Sequence, residues 1–306
     1  MKRGAIILKK TILITGATDG IGKATAMALA QQGHQVIVHG RNREKAQRVV
    51  AEIRTATGNQ QVTFLIADLF SLRAVQQLAE QFLAHNDHLD VLINNAGAVL
   101  NNHRAVSVDG VEKTMALNVL APFLLTQLLL PSLEKSSDGR IINMSSASHR
   151  ASGRPDLNDL NLEKDNSAQR RYSLSKLFVI WNTQHQAKLL KQQGVQNVTV
   201  NASHPGAIAT NFGQDSDKGW LVNLVYKVAI KLASFGPLRT MATPEHGAAT
   251  NIYLATSENV DGISGLFWGD AKPQKPSTRY YSATAEQQVW DYCQAVVRPF
   301  LSDAKH

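Results

Sequence analysis

The chain has 306 residues, 43% of them apolar and 18% charged; the length allows one large domain or two modest ones, and the balance is that of an ordinary globular protein. This excludes a disordered chain, a collagen-like repeat and a disulfide scaffold, and the single cysteine, Cys293, can form no internal disulfide, which favours a reducing, cytoplasmic setting. Lys and Arg total 32 against 24 acidic residues, a net charge of +8, but they are scattered, with pairs such as Lys9-Lys10 and Arg170-Arg171 the densest places. No basic stripe interleaved with aromatics points to nucleic acid, and the excess suits an anionic cofactor equally well.

Gly4–Leu8 is too short for a signal-peptide core and is stopped by Lys9-Lys10. Thr11–Thr15 then predicts a strand and Ile21–Gln32 a helix. The alternation continues with Gln35–His39 and Arg43–Ala56, Val62–Ile66 and Leu72–His85, Val91–Asn94 and Gly110–Leu133, and Arg140–Met144 and Gln169–Gln193. Val198–Ala202 predicts a further strand and Gly265–Trp268 a late one, with helical spacing over Asp217–Ser234, Pro244–Ala255 and Thr284–Val297. The strands are short apolar runs without clean alternation, as expected where both faces are covered. Strand–helix alternation at this spacing implies an α/β, doubly wound parallel sheet of about seven strands with helices on both faces. No repeat or Pro/Gly/Ser linker divides the chain, so 1–306 reads as one domain, with a C-terminal extension over 270–306. The longest apolar run, Phe123–Leu133, is broken by Thr126, Gln127 and Pro131, so no transmembrane segment is expected.

The first strand runs into Thr15-Gly16-Ala17-Thr18-Asp19-Gly20-Ile21-Gly22 and a helix. Glycines there let the backbone approach a pyrophosphate, and the helix N-terminus offers N–H groups and partial positive charge; the spacing is Gly-x3-Gly-x-Gly, not the commoner Gly-x-Gly-x2-Gly, and it is the strand before and the helix after that point to a Rossmann dinucleotide site. A carboxylate near the end of the second strand would hold a ribose 2′-OH, whereas Arg suits a 2′-phosphate. The segment here is His39-Gly40-Arg41-Asn42-Arg43, with no acid before Glu44, so NADP(H) is preferred and NAD(H) stays open. Asp68, followed by Leu69, could accept from the adenine amino group or cap the helix beginning near Ser71.

Tyr172 and Lys176 share one helical face at i and i+4, and a nearby ammonium favours a phenolate that is otherwise rare at neutral pH. They keep company with Asn94-Asn95-Ala96-Gly97 after the fourth strand, Asn118 in the next helix, Asn143-Met144-Ser145-Ser146 ending the fifth strand, and His204-Pro205-Gly206 after the sixth. These motifs, in this order at strand ends, closely resemble the short-chain dehydrogenase/reductase family from Thr11 to about Pro276. The long gap between the serines and Tyr172, the run from His204 to Thr210-Asn211, and Pro244–Ala248 with Gly262–Gly265 are most similar to its retinol-dehydrogenase and protochlorophyllide-reductase-like branch.

The resemblance implies hydride transfer between a nicotinamide and a carbonyl or alcohol. Tyr172 would be the general acid in reduction and the base in oxidation. Lys176 would hold the nicotinamide ribose and lower the tyrosine pKa. Ser146, or failing it Ser145, would bond the substrate carbonyl oxygen, and Asn118 would hold a water passing protons to Lys176. Thr15, Gly16, Thr18, Asp19, Gly20, Ile21 and Gly22 would form the cofactor loop, and Arg41 and Asn42 would lie at the adenosine ribose. Asn94, Ala96 and Gly97 would line the adenosine side and brace the sheet. Pro205, Gly206 and Thr210 would shape the nicotinamide pocket. Asp19 departs from the pattern, standing where many NADP-using relatives carry a basic residue.

The segment 211–243 is the expected substrate lid. Trp220, Leu221, Leu224, Val225, Val228, Ile230 and Leu232 give it an apolar face with Lys218, Lys227 and Lys231 beside it, which suits a small lipophilic carbonyl or alcohol substrate. A helix packed on the sheet edge and an interfacial helix on a membrane are the other readings. No metal site is expected. Homo-oligomers through the fourth and fifth helices and a monomer both fit the resemblance. An NAD(H)-dependent alcohol dehydrogenase and a non-catalytic nucleotide-sensing relative remain the competing functions.

Overall fold

The apolar runs expected as strands lie side by side in one sheet. A computed structural model describes residues 9–206 and 243–302. Its strands are β1 (Thr11–Ile14), β2 (Gln35–Gly40), β3 (Val62–Ile66), β4 (Val91–Asn94), β5 (Gly139–Met144), β6 (Val198–Ser203), β7 (Phe267–Gly269) and β8 (Lys272–Gln274). The order is β3-β2-β1-β4-β5-β6-β7-β8, parallel throughout except that β8 runs antiparallel to β7. The chain leaves β1 toward β2 and β3, and returns to β4 on the other side. The crevice at the C-terminal ends of β1 and β4 is therefore the topological switch point where such sheets bind ligands.

The helices are α1 (Gly20–Gln31), α2 (Arg43–Thr57), α3 (Leu72–Leu83), α4 (Lys113–Glu134), α5 (Ala168–Gln192), α6 (Pro244–Thr256) and α7 (Ala283–Ser302). Alternate strand residues feed two cores. Ile12, Ile14, Val36 and Val38 pack under Leu29 of α1, Val50 and Ile53 of α2 and Leu254 of α6. Leu13, Ile37, Leu92 and Ile141 pack under Leu78 of α3, Leu124 of α4, Phe178 of α5 and Val289 of α7. Each such apolar side chain contributes about 1.5–3 kcal/mol on full burial, which is why the sheet reads as continuous apolar runs.

Three differences from expectation have local causes. The helix expected from Gly110 begins at Lys113, because Gly110 turns at φ +76° and the Glu112 carboxylate caps the Met115 amide. The late strand continues as a hairpin, since Asp270 (φ 52°) and Ala271 (φ 55°) form a tight turn into the edge strand β8, where Pro273 is tolerated. And α4 is long and apolar enough, by those two measures, to cross a membrane, where the sequence suggested a broken run; 67% of its apolar window is buried, and it packs against α3, α5 and α7.

Candidate active site

The glycine turn sits at the switch point. Gly16 (φ +63°) and Gly20 (φ +48°) adopt the left-handed conformation that other residues avoid. A Cβ on Gly22 would stand 2.4 Å from the Gly16 carbonyl oxygen, so only glycine lets α1 press against the turn and aim its first amides into the crevice. Thr15 is buried; its hydroxyl donates to the Ile93 carbonyl and accepts from the Ala96 amide, tying β1 to the segment after β4. Asn95 Nδ2 donates to the carbonyls of Thr15 (2.8 Å) and Gly16 (3.2 Å), and the Gly16 amide donates to His39 Nδ1 (3.2 Å). Asn95 and His39 thus hold the turn. Sequence reasoning missed both, because their partners lie in other strands.

Asp19 caps α1, accepting from the Gly20 amide, and its other oxygen pairs with Lys45 Nζ at 2.7 Å. The acid that counted against a 2′-phosphate is therefore matched by a cation in the first turn of α2. Arg41 is exposed, its guanidinium 5.7 Å from the centroid of Phe70, which Lys113 also approaches at 5.5 Å. Asn42 caps α2 through its side-chain oxygen (2.8 Å to the Lys45 amide), and the Thr18 methyl lies against Gly40. Asp68 holds the Phe70 amide in a turn while Ser71 caps α3, which resolves the cap alternative in favour of Ser71; Leu69 is buried beside it. A patch of Arg41, Lys45 and Lys113 thus gathers near the ends of β2 and β3, and Lys45, Lys113 and Phe70 were not among the sequence candidates.

Asn94 is buried in the sheet, donating to Thr126 Oγ1 (3.0 Å) and Asn143 Oδ1 (2.9 Å), a bracing geometry. Gly97 faces Lys176 and Asn118: a Cβ there would be 2.9 Å from Lys176 Nζ and 3.1 Å from Asn118 Oδ1. Asn118 sits in the wide turn Ala116–Leu120 of α4, with π-type hydrogen bonding of the kind that recurs at functional sites. Its amide group donates to the Ala98 carbonyl and Ser175 Oγ, and its oxygen accepts from the Ala98 amide.

α5 is capped by Ser167 and is buried on all sides from Arg171 to Thr183. Tyr172 is 7% exposed and Lys176 2%; Lys176 Nζ stands 5.7 Å from the tyrosine ring centroid and donates to the Met144 carbonyl at 2.9 Å. Burial pushes the Lys176 pKa down to about 7. Ser145 is buried and gives its hydroxyl proton to the Lys176 carbonyl (2.7 Å), whereas Ser146 is half-buried and accepts from the Ser148 amide. The adjacent hydroxyls thus have different partners. Pro205 and Gly206 follow β6, Gly206 at φ +74°; Thr210 and most of the expected lid lie outside the described residues. A cavity of about 850 Å³ along the C-terminal half of α5, bordered by Trp181, Lys188 and Tyr281, holds none of these groups.

The sequence profile of the short chain dehydrogenases matches residues 10–219. The chain belongs to the short-chain dehydrogenase family. Retinol dehydrogenase 11 of Homo sapiens is 36% identical over 286 residues, covering 92% of this chain and 84% of that protein. The human polyprenol dehydrogenase is 34% identical over 92% of this chain and 83% of its own. Among solved structures, a short chain dehydrogenase of Escherichia coli CFT073 complexed with NADPH superposes with a TM-score of 0.66 at 27% identity, covering 87% of this chain and 98% of that one. These relatives place the short-chain dehydrogenase in the retinol-dehydrogenase-like branch, as an oxidoreductase acting on CH–OH groups with NAD(P).

Proposed function

We propose that this dehydrogenase moves a hydride between NADP(H) and a lipophilic carbonyl or alcohol, with Tyr172 as general acid and base. The observation that carries the reading is the meeting of Lys176, Asn118 and the side-chain-free Gly97 beside Tyr172. The cofactor fits the residues present: Gly16, Gly20 and Gly22 leave a bare backbone at a helix N-terminus, and Arg41 and Lys45 offer cations near the end of β2. When bound, the nicotinamide supplies or accepts the hydride.

The chain's own groups move the proton. Ser146 donates to the substrate oxygen and fixes it beside Tyr172. Tyr172 gives its proton to that oxygen in reduction and takes it back in oxidation. The Lys176 ammonium lowers the phenol pKa, and its protons not used on Met144 hold the ribose hydroxyls. The Asn118 side chain is engaged by Ala98 and Ser175, and its wide turn would hold the water that relays protons to Lys176. Thr15 and Asn94 act by bracing, while Ala96 and Gly97 line the cleft. Asn42, Asp68, Leu69, Pro205 and Gly206 complete the cofactor contacts. The chain works as one domain, in a cytoplasmic setting where Cys293, wholly buried with its thiol pKa pushed up to about 12, stays reduced.

The test is a panel of aldehydes, ketones and retinoids with NADPH and with NADH. NADPH consumption with the lipophilic members is expected. Turnover with NADH alone moves the assignment to an NAD(H)-dependent alcohol dehydrogenase, and cofactor binding without turnover of any substrate moves it to a nucleotide sensor.

A further inference from the structure

Two buried histidines lie against the reactive end with no part in the chemistry above. His149 follows Ser146 by three residues and is 1% exposed. Its Nε2 accepts the Ser277 backbone amide at 3.0 Å. A backbone amide only donates, so Nε2 carries no proton and the neutral ring has its proton on Nδ1. That nitrogen lies 2.7 Å from the Ser146 carbonyl oxygen and donates to it, and the His149 amide reaches the same oxygen at 3.2 Å. Burial pushes the His149 pKa down, which keeps the ring neutral.

His204 repeats the arrangement. The Gly206 amide donates to its Nδ1 (3.1 Å), so its Nε2 proton goes to Gln274 Oε1 (2.9 Å). Both rings pack on Phe267, His149 edge-on at 5.0 Å and His204 stacked at 5.0 Å. A Cβ on Gly269 would come within 2.1 Å of His204 Nε2, so glycine alone leaves the ring its place. The β7–β8 hairpin and the segment to Ser277 are thereby fastened to two loops at once, the one that carries Ser146 and the one that carries Pro205-Gly206.

We propose that His149 is a positioning residue that holds the Ser146 carbonyl, and with it the direction of the Ser146 hydroxyl, against the C-terminal segment at Ser277. This rests on the reading of Ser146 as the hydroxyl that bonds the substrate. The two links are separable, because an asparagine amide can stand in for Nδ1–H and a glutamine oxygen for Nε2. In the full chain, with NADPH and retinal, H149Q keeps the Ser277 link and loses the Ser146 link. A misplaced reacting group costs on the order of 10²-fold, so H149Q should lose about 10- to 100-fold in both kcat and kcat/KM with NADPH affinity kept. H149N should recover most of that loss, to within about threefold of wild type. Equal losses in H149N and H149Q, or losses that track their melting temperatures, would overturn the proposal. So would a long-range nitrogen–proton NMR spectrum of the wild-type chain showing the His149 proton on Nε2, a reading that needs no variant to fold. S146A tests the underlying reading separately. Wild-type turnover in S146A removes that reading and the inference with it, whereas an impaired S146A beside a normal H149Q removes only the inference.

Discussion

The two ends of the cofactor crevice treat positive charge in opposite ways. At the reactive end, Lys176 is sealed from water, its pKa is pushed down to about 7, and it is held by the Met144 carbonyl. At the adenosine end, Arg41 is exposed, and Lys45 stands half in water against Asp19, with side-chain exposures of 42% and 52%. Burial makes a lysine a tunable group whose protonation responds to what binds beside it. Exposure leaves the charge permanent, screened by salt and modest in strength, which suits the choice between two cofactors differing by one phosphate.

The sharpest break is made at the buried end. Lys176→Met should lower kcat by about 10²–10⁴, because Tyr172 loses the charge that eases its proton transfer. The same variant carries a pH signature. The folded chain releases the Lys176 proton near pH 7 and the unfolded chain near its ordinary 10.5, so between these values the unfolded state binds more protons and stability rises with pH. Below that window both states are protonated and the slope from this group vanishes. Denaturant midpoints of the cofactor-free protein should climb from pH 7 toward pH 10 in wild type, and K176M should lack that rise; equal slopes would mean that Lys176 is not the buried cation described.

A second buried charge extends the contrast. Arg171, one residue before Tyr172, is wholly buried, with Nε 3.3 Å from Glu112 Oε1 and its other nitrogens on the carbonyls of Asp165, Asn101 and Asn102. Removing one partner of a buried pair typically costs about 3–5 kcal/mol, so Arg171→Met should destabilise the fold by that amount, with partial recovery in R171M/E112Q. A loss below about 1 kcal/mol, the range of exposed pairs, would erase the distinction between the two ends.

At the exposed end the effects shrink. Arg41→Ala should weaken NADPH by about 10- to 150-fold, the equivalent of one charge-assisted hydrogen bond of about 1.5–3 kcal/mol, while NADH affinity is unchanged. Equal weakening of both cofactors would remove Arg41 from the 2′-phosphate. Lys45→Ala breaks the Asp19 pair and should cost about 0.2–1 kcal/mol of stability, shrinking further in high salt; a salt-insensitive loss would show that the pair is not governed by solvent.

The buried end was also the more legible in the sequence. Tyr172 and Lys176 share a helical face, Gly97 and the serine pair follow strand ends and Asn118 lies in a helix, and it was the order of these motifs, through the resemblance to a family, that singled them out before any packing was known. What escaped were groups whose partners are distant. Asn95 and His39 hold the glycine turn, Lys45 answers Asp19 from the next helix, and His149 reaches Ser277 in the C-terminal segment. No periodicity announces such pairs. The difference between Ser145 and Ser146 was equally closed to sequence, since it turns on which hydroxyl donates to the Lys176 carbonyl. The edge strand β8 escaped for another reason: its turn is Asp270-Ala271, where hairpins of this kind favour Asn-Gly or Asp-Gly, and its own Pro273 argues against a strand.

The central claim is that Tyr172 exchanges the proton that accompanies hydride transfer. The most direct measurement is the steady-state oxidation of NADPH with a lipophilic aldehyde by wild type and Tyr172→Phe, with cofactor affinity measured alongside. Because general acid–base help is worth about 10²–10⁴, the account predicts a loss of that size in kcat with NADPH binding preserved. Turnover by Y172F within a few-fold of wild type would contradict it.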